Sequence, residues 1–146
     1  MSTPTVGDVV ATLKPGVVTR TTLALFAGAS GDHNPIHIDL DSARASGMDD
    51  VFAHGMLSMA YLGRLLTDTF PQSSIRELSA RFTAITPVRA EPELTATVKE
   101  IIVADDEQRA VLELNVTLAD GTRTLAGTAV VAWSGADQGS SATLVP

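Results

Sequence analysis

Asp32, His33, Asn34 and His37 sit together in the run from Gly28 to Asp39, a segment punctuated by Gly28, Gly31 and Pro35. A carboxylate and an imidazole held on one short, stiff loop can grip a single water and exchange protons with it, which is the equipment of general acid/base chemistry. Asp32 and His37 are the expected proton-transfer pair. Asn34 is expected to orient the loop or the pair through side-chain hydrogen bonds, and Pro35 restricts Asn34 to extended geometry. His33 reads as a loop residue facing solvent. Taken alone, Asp-x-Asn-Pro is a common turn, because Asp and Asn bond their own backbone and Pro stiffens it.

The same residue types could ligate zinc or iron through Asp32, His33, His37 and Asp39. The proline-containing loop and the helix start that follows explain them as an acid/base site, so neither a metal nor another cofactor is expected. A Ser-His-Asp hydrolase is disfavoured: the sequence has no Gly-x-Ser-x-Gly elbow, and Ser30 has no placed base.

The elements that must position this loop can be read from spacing. Thr19 or Thr21 can cap a helix to about Ala29, with Leu23, Phe26 and Ala27 on one face, and Gly28 and Gly31 end it. Asp41 or Ser42 caps a short helix over Asp39 to Gly47. A third helix starts near His54-Gly55 and runs to about Thr69, before Pro71. Its apolar residues lie around most of its circumference, which predicts a helix wrapped by other elements. From Glu77 the period becomes two. Leu78, Ala80, Phe82 and Ala84 form one alternating set, and Leu94, Ala96 and Val98 another. Val111 to Leu118 alternates again, Asp120-Gly121 is a hairpin signal, and Thr124 to Trp133 is the returning strand. Asp105-Asp106-Glu107 reads as a solvated turn. Helices followed by an antiparallel meander give an α+β fold with a sheet curled about a central helix. One domain is expected over 1–133, with a flexible tail over 134–146.

The 146 residues are 45% hydrophobic with a mean hydropathy of +0.20, which fits one domain with a real core. A formal net charge of -7 opposes nonspecific binding to nucleic acid or anionic membrane. Without cysteine there is no disulfide, thiolate nucleophile or sulfur-based zinc site. The N-terminus lacks the pattern of a secretory signal, so the cytoplasm is the default. The nearly uncharged run Val51 to Gly63 falls short of the ~20 apolar residues of a membrane span. A strongly curved sheet leaves an edge and a back face that another subunit could cover, so a homo-oligomer is expected.

The segment Phe26-Ala27-Gly28-Ala29-Ser30-Gly31-Asp32-His33-Asn34-Pro35-Ile36-His37, then Asp39, then Ala53-His54-Gly55-Met56-Leu57, resembles the MaoC-like dehydratases. That family includes R-specific enoyl-CoA hydratases and actinobacterial hydroxyacyl dehydratases. Arg81-Phe82-Thr83-Ala84 with Pro87-Val88 is also similar, so the resemblance covers roughly Val6 to Trp133. It implies a hot dog fold, a long helix wrapped by an antiparallel sheet and normally paired into a dimer.

The resemblance also implies reversible hydration of 2-enoyl thioesters to (3R)-3-hydroxyacyl thioesters, with Asp32 and His37 as the dyad in either order of acid and base. Gly55 opens the central helix, where backbone N–H groups lack intrahelical acceptors, and is the expected oxyanion donor. Ser58 is a supporting candidate; His54, Met56 and Tyr61 are expected to line the substrate, with helix capping or core packing as the competing reading. The small and flexible residues Met56, Met59, Ala60 and Gly63 could line a tunnel. The carrier is coenzyme A or acyl carrier protein, and Arg81, Arg89 and Lys99 are candidates for a local basic patch. Competing readings are a dehydratase subunit active only with a second hot dog chain, a non-catalytic acyl-thioester binder, and a thioesterase on the same fold.

Overall fold

The computed structural model describes residues 4–133; the tail expected over 134–146 lies outside them. Strand β1 (Val9–Leu13) leads to helix α1 (Arg20–Ser30), a 3-10 turn at Pro35–His37, and the short helix α2 (Leu40–Ala45). The central helix α3 (Gly55–Thr69) is followed by β2 (Ile75–Phe82), β3 (Glu93–Ala104), β4 (Glu107–Thr117) and β5 (Arg123–Ala132). All pairings are antiparallel, in the order β1-β3-β4-β5-β2, so β1 and β2 are the edges.

Strand periodicity explains the core. Leu94, Ala96 and Val98 of β3 are buried with Ala110, Leu112, Leu114 and Val116 of β4 on one face of the sheet. Leu62, Leu65 and Leu66 of α3 pack into that face. The β3 alternation stops at Val98 because the register with β4 shifts between Val98 and Glu100, where a bulge turns the strand. On β5, Gly127 allows close approach of β2: a Cβ there would lie 2.5 Å from the Ser79 carbonyl oxygen.

A second buried cluster joins Val18, Leu23, Val51, Ala53, Leu57 and Val88, and half-buried Tyr61 packs against both clusters. This second cluster anchors α1 and the segment before α3, the two pieces that carry the candidate chemistry.

Four expectations are corrected. Asp39, not Asp41 or Ser42, caps α2: its Oδ1 accepts from the Asp41 and Ser42 N–H groups at 2.7 and 3.0 Å. Gly28 lies inside α1, whose end is made by Gly31 at φ 74° with its N–H on the Ala27 carbonyl. The apolar circumference of α3 is only partly covered. Leu62, Leu65 and Leu66 lie against the sheet, Leu57 lies in the second cluster and Ser58 is buried, whereas Met56 and Ala60 are exposed. The acidic run is only partly a solvated turn. Asp105 and Asp106 turn the chain at φ 52° and 59°, while Glu107 and Asp105 bind arginines.

Candidate functional site

The loop is built by its own polar side chains. Thr19 caps α1 with a reciprocal Thr22 bond, and at the other end Ser30 Oγ donates to the Phe26 carbonyl while accepting from the Asp32 N–H. Asp32 Oδ1 accepts from the Asn34 N–H at 3.2 Å, and Asn34 Oδ1 accepts from the Ile36 N–H at 3.3 Å. These two successive side-chain turns, followed by Pro35, deliver His37 to the end of the 3-10 turn. Asn34 thus bonds within the loop through its side chain. His33 is exposed, and Ser30 is occupied in ending α1.

His37 is 8% exposed, and its Nδ1 lies 2.8 Å from the Phe52 carbonyl oxygen. A carbonyl only accepts, so Nδ1 carries the proton and the neutral ring keeps an acceptor lone pair on Nε2. His54 has the opposite assignment. Its Nε2 lies 3.0 Å from the backbone carbonyl of Asp32 and donates to it, leaving a buried Nδ1 without a partner. The two imidazoles meet at a centroid distance of 4.0 Å, with Phe26 5.0 Å from His54 and the Phe52 ring edge-on to His37 at 4.9 Å. His54, therefore, does not cap α3 through its side chain. At 1% exposed, it holds the Asp32 backbone instead of presenting a free surface to substrate.

One ligand atom each from Asp32, His37 and His54 lie within 4.8 Å of one another. That spacing suits a water at about 2.8 Å from two of them. The same three groups could reach one ion, but one nitrogen of each imidazole already serves a backbone carbonyl.

The α3 N-terminus has no side-chain cap, and Gly55 is its first residue. The first N–H groups of a helix point outward with the positive end of its dipole and suit a developing negative oxygen. Beside Gly55 opens a cleft of about 300 Å³, with Phe52 and Phe82 on its walls and Ser58 from the next turn of α3. Phe52 therefore faces both the cleft and His37. A cleft of about 500 Å³ elsewhere is lined by Lys14, Glu91 and Glu93, with Lys14 already paired to Glu93 at 3.2 Å.

Of the other residues named from sequence, Met56 is more than half exposed and Tyr61 bridges the two cores; neither lines the cleft. Lys99 pairs with Glu113 at 3.7 Å, and Arg20 with Arg89 beside it holds the Asp50 carboxyl below its ordinary range. The residues that sequence reasoning missed are Phe52, Phe82, Thr86 and Thr124. Only Phe82 had a signal, its place in the alternating set of β2.

Among the described residues no helix is long and apolar enough to cross a membrane. A family profile described as a MaoC like domain matches residues 2–122. An (R)-specific enoyl-CoA hydratase of Aeromonas caviae is 29% identical over 109 residues, which span 75% of this chain and 81% of that protein. The solved structure of the (R)-hydratase from A. caviae involved in PHA biosynthesis superposes with a TM-score of 0.77 at 25% identity, covering 92% of this chain and 100% of that one. A chain of the ChsH1-ChsH2 complex from Mycobacterium tuberculosis superposes at 0.76 with 21% identity, covering 90% and 100%, a likeness of fold.

Proposed function

The chain belongs to the MaoC-like domain family with a hot dog fold, and from that premise we propose that it is a hydro-lyase adding water reversibly to 2-enoyl thioesters to give (3R)-3-hydroxyacyl thioesters. The observation that carries the reading is the His37 contact with the Phe52 carbonyl at 2.8 Å: it makes Nδ1 the donor and leaves Nε2 as the acceptor, on a ring that has a nitrogen within 4.8 Å of an Asp32 carboxylate oxygen.

The water donates one proton toward His37 Nε2 and the other toward Asp32. As its oxygen bonds to C3, Nε2 takes a proton and the C2–C3 π pair moves into an enolate, whose charge rests on the thioester oxygen. The Gly55 N–H at the head of α3 receives that oxygen. The imidazolium then returns a proton to C2. The sum is one water added, with the ring restored to its starting tautomer. Dehydration runs the same steps backward: His37 removes the C2 proton and the departing hydroxyl leaves as water. The R hand follows the named relative from A. caviae.

The acyl carrier is coenzyme A or acyl carrier protein, and the working unit is a pair of hot dog chains. Two features support a pair: the open edges β1 and β2, and the exposed Met56, Phe82 and Ile85. Loss of enoyl absorbance on adding purified protein to a 2-enoyl-CoA, with the product resolved by hand, tests the activity. Size exclusion of the active species tests the pair: turnover by this chain as a monomer would overturn it, and turnover only after adding a second hot dog chain would identify a mixed pair.

A further inference from the structure

The cleft beside Gly55 carries three hydroxyls on a wall otherwise apolar. Ser58, Thr86 and Thr124 line it at 5%, 6% and 1% exposure. Ser58 occupies the stripe of α3 continued by Leu62, Leu65 and Leu66, all buried leucines, so a hydroxyl stands where the pattern of the core asks for hydrocarbon.

The three hydroxyls are weakly engaged. Ser58 and Thr86 face each other at 3.5 Å, and Thr124 reaches the Val116 carbonyl at 3.5 Å. Hydroxyl hydrogen bonds are ordinarily about 2.5 to 3.0 Å, and each hydroxyl can donate once and accept twice. A hydrocarbon tail packed here would exclude water from these groups and offer nothing in exchange. No charged side chain lines the cleft, so its polarity suits a neutral group and not a carboxylate. Its volume of about 300 Å³ is at the small end for ligand sites.

We propose, resting on the hydration reading above, that this cleft receives the acyl end of the substrate and that Ser58, Thr86 and Thr124 select a short acyl group carrying a neutral oxygen substituent. A site that hydrogen-bonds a substrate oxygen discriminates against the methyl isostere far better than an apolar pocket discriminates against a hydroxyl. Thr124→Val, Thr86→Val and Ser58→Ala each remove one hydroxyl with little change in volume.

The test compares ω-hydroxy-2-enoyl-CoAs with their ω-methyl isosteres of equal length, by kcat/KM, in wild type and the three variants. The wild type is expected to favour the hydroxylated member by about tenfold or more at one chain length. At least one variant should lose that preference and gain on the hydrocarbon. A wild type that favours the hydrocarbon at every length, or a preference that no variant moves, overturns the proposal. If no thioester is hydrated, the hydration reading fails, and the selection is read instead from calorimetric binding of saturated ω-hydroxyacyl-CoAs and their isosteres to the same proteins. The same preference and its loss in a variant would still support the cleft's role; equal binding throughout would overturn it.

Discussion

The carbonyl of Phe52 accepts a hydrogen bond from His37 Nδ1 at 2.8 Å, and the same Phe52 forms a wall of the cleft beside Gly55. One residue thereby fixes the tautomer of the imidazole and borders the space where a substrate would lie. The bond comes from backbone, so its chemistry does not depend on the Phe52 side chain. The position of that backbone is held by backbone pairing as well: Phe52 pairs with Pro87 in an isolated bridge, and the Ala53 N–H donates to the Thr86 carbonyl at 2.9 Å.

His54 positions the loop through its bond to the Asp32 carbonyl and its contact with the His37 ring. His54→Ala should cost roughly 2–4 kcal/mol, from the lost bond and the space left behind. It should also lower kcat more than tenfold with a smaller change in KM. His54→Gln keeps an N–H at the same reach and should recover much of both. Urea unfolding beside steady-state kinetics checks this; full kcat in folded His54→Ala would reduce His54 to packing.

Gly55→Ala separates activity from stability. The added Cβ would lie 3.2 Å from Cε1 of Phe82, a half-exposed ring with room to yield. Alanine also favours the helix over glycine, so the unfolding free energy should change by less than about 1 kcal/mol. The displaced ring and the crowded N–H should reduce kcat/KM by about tenfold or more. Thermal unfolding and turnover on the same preparation give the comparison, and an unchanged kcat/KM would remove Gly55 from the site.

Much of this arrangement is legible in the sequence. Residue types and spacing marked Asp32 and His37, and helix periodicity placed α3 within its observed bounds at Gly55 to Thr69. The alternation of Leu94, Ala96 and Val98 marked the buried face of β3 as far as its bulge. What could not be read were contacts made across long separations. The Phe52 carbonyl is chemically the same as every other carbonyl in the chain, and only the fold brings it to His37. Thr86 and Thr124 look like ordinary loop and strand threonines until the fold places them with Ser58. The breadth of the apolar surface on α3 overstated its burial, because spacing shows which positions are apolar and not which of them another element reaches.

The ion pairs of Glu107 predict a pH effect on stability. Its carboxyl is held down to about 2, from an ordinary 4.5, by the hydrogen bond from Arg76 and then that from Arg109. A depressed carboxyl stabilises the fold above its unfolded pKa and loses that contribution as pH falls through the folded one. Wild type should therefore exceed Glu107→Gln in stability at neutral pH, with the gap closing between about 4.5 and 2. Denaturant midpoints across that range measure it. Because the group lies at the surface, the gap should shrink in high salt; a gap constant with pH would contradict the assignment.

The proton-transfer pair is the centre of the account. Hydration of a 2-enoyl-CoA, followed by loss of enoyl absorbance, should be compared in wild type, Asp32→Asn and His37→Asn. Asp32 is exposed, and the carboxamide introduced by His37→Asn can still donate to the Phe52 carbonyl, so both variants should fold. Wild type should turn over, and each variant should lose on the order of 10²–10⁴-fold in kcat with an unfolding midpoint close to that of wild type. Wild-type turnover that survives either substitution at full rate would contradict the account.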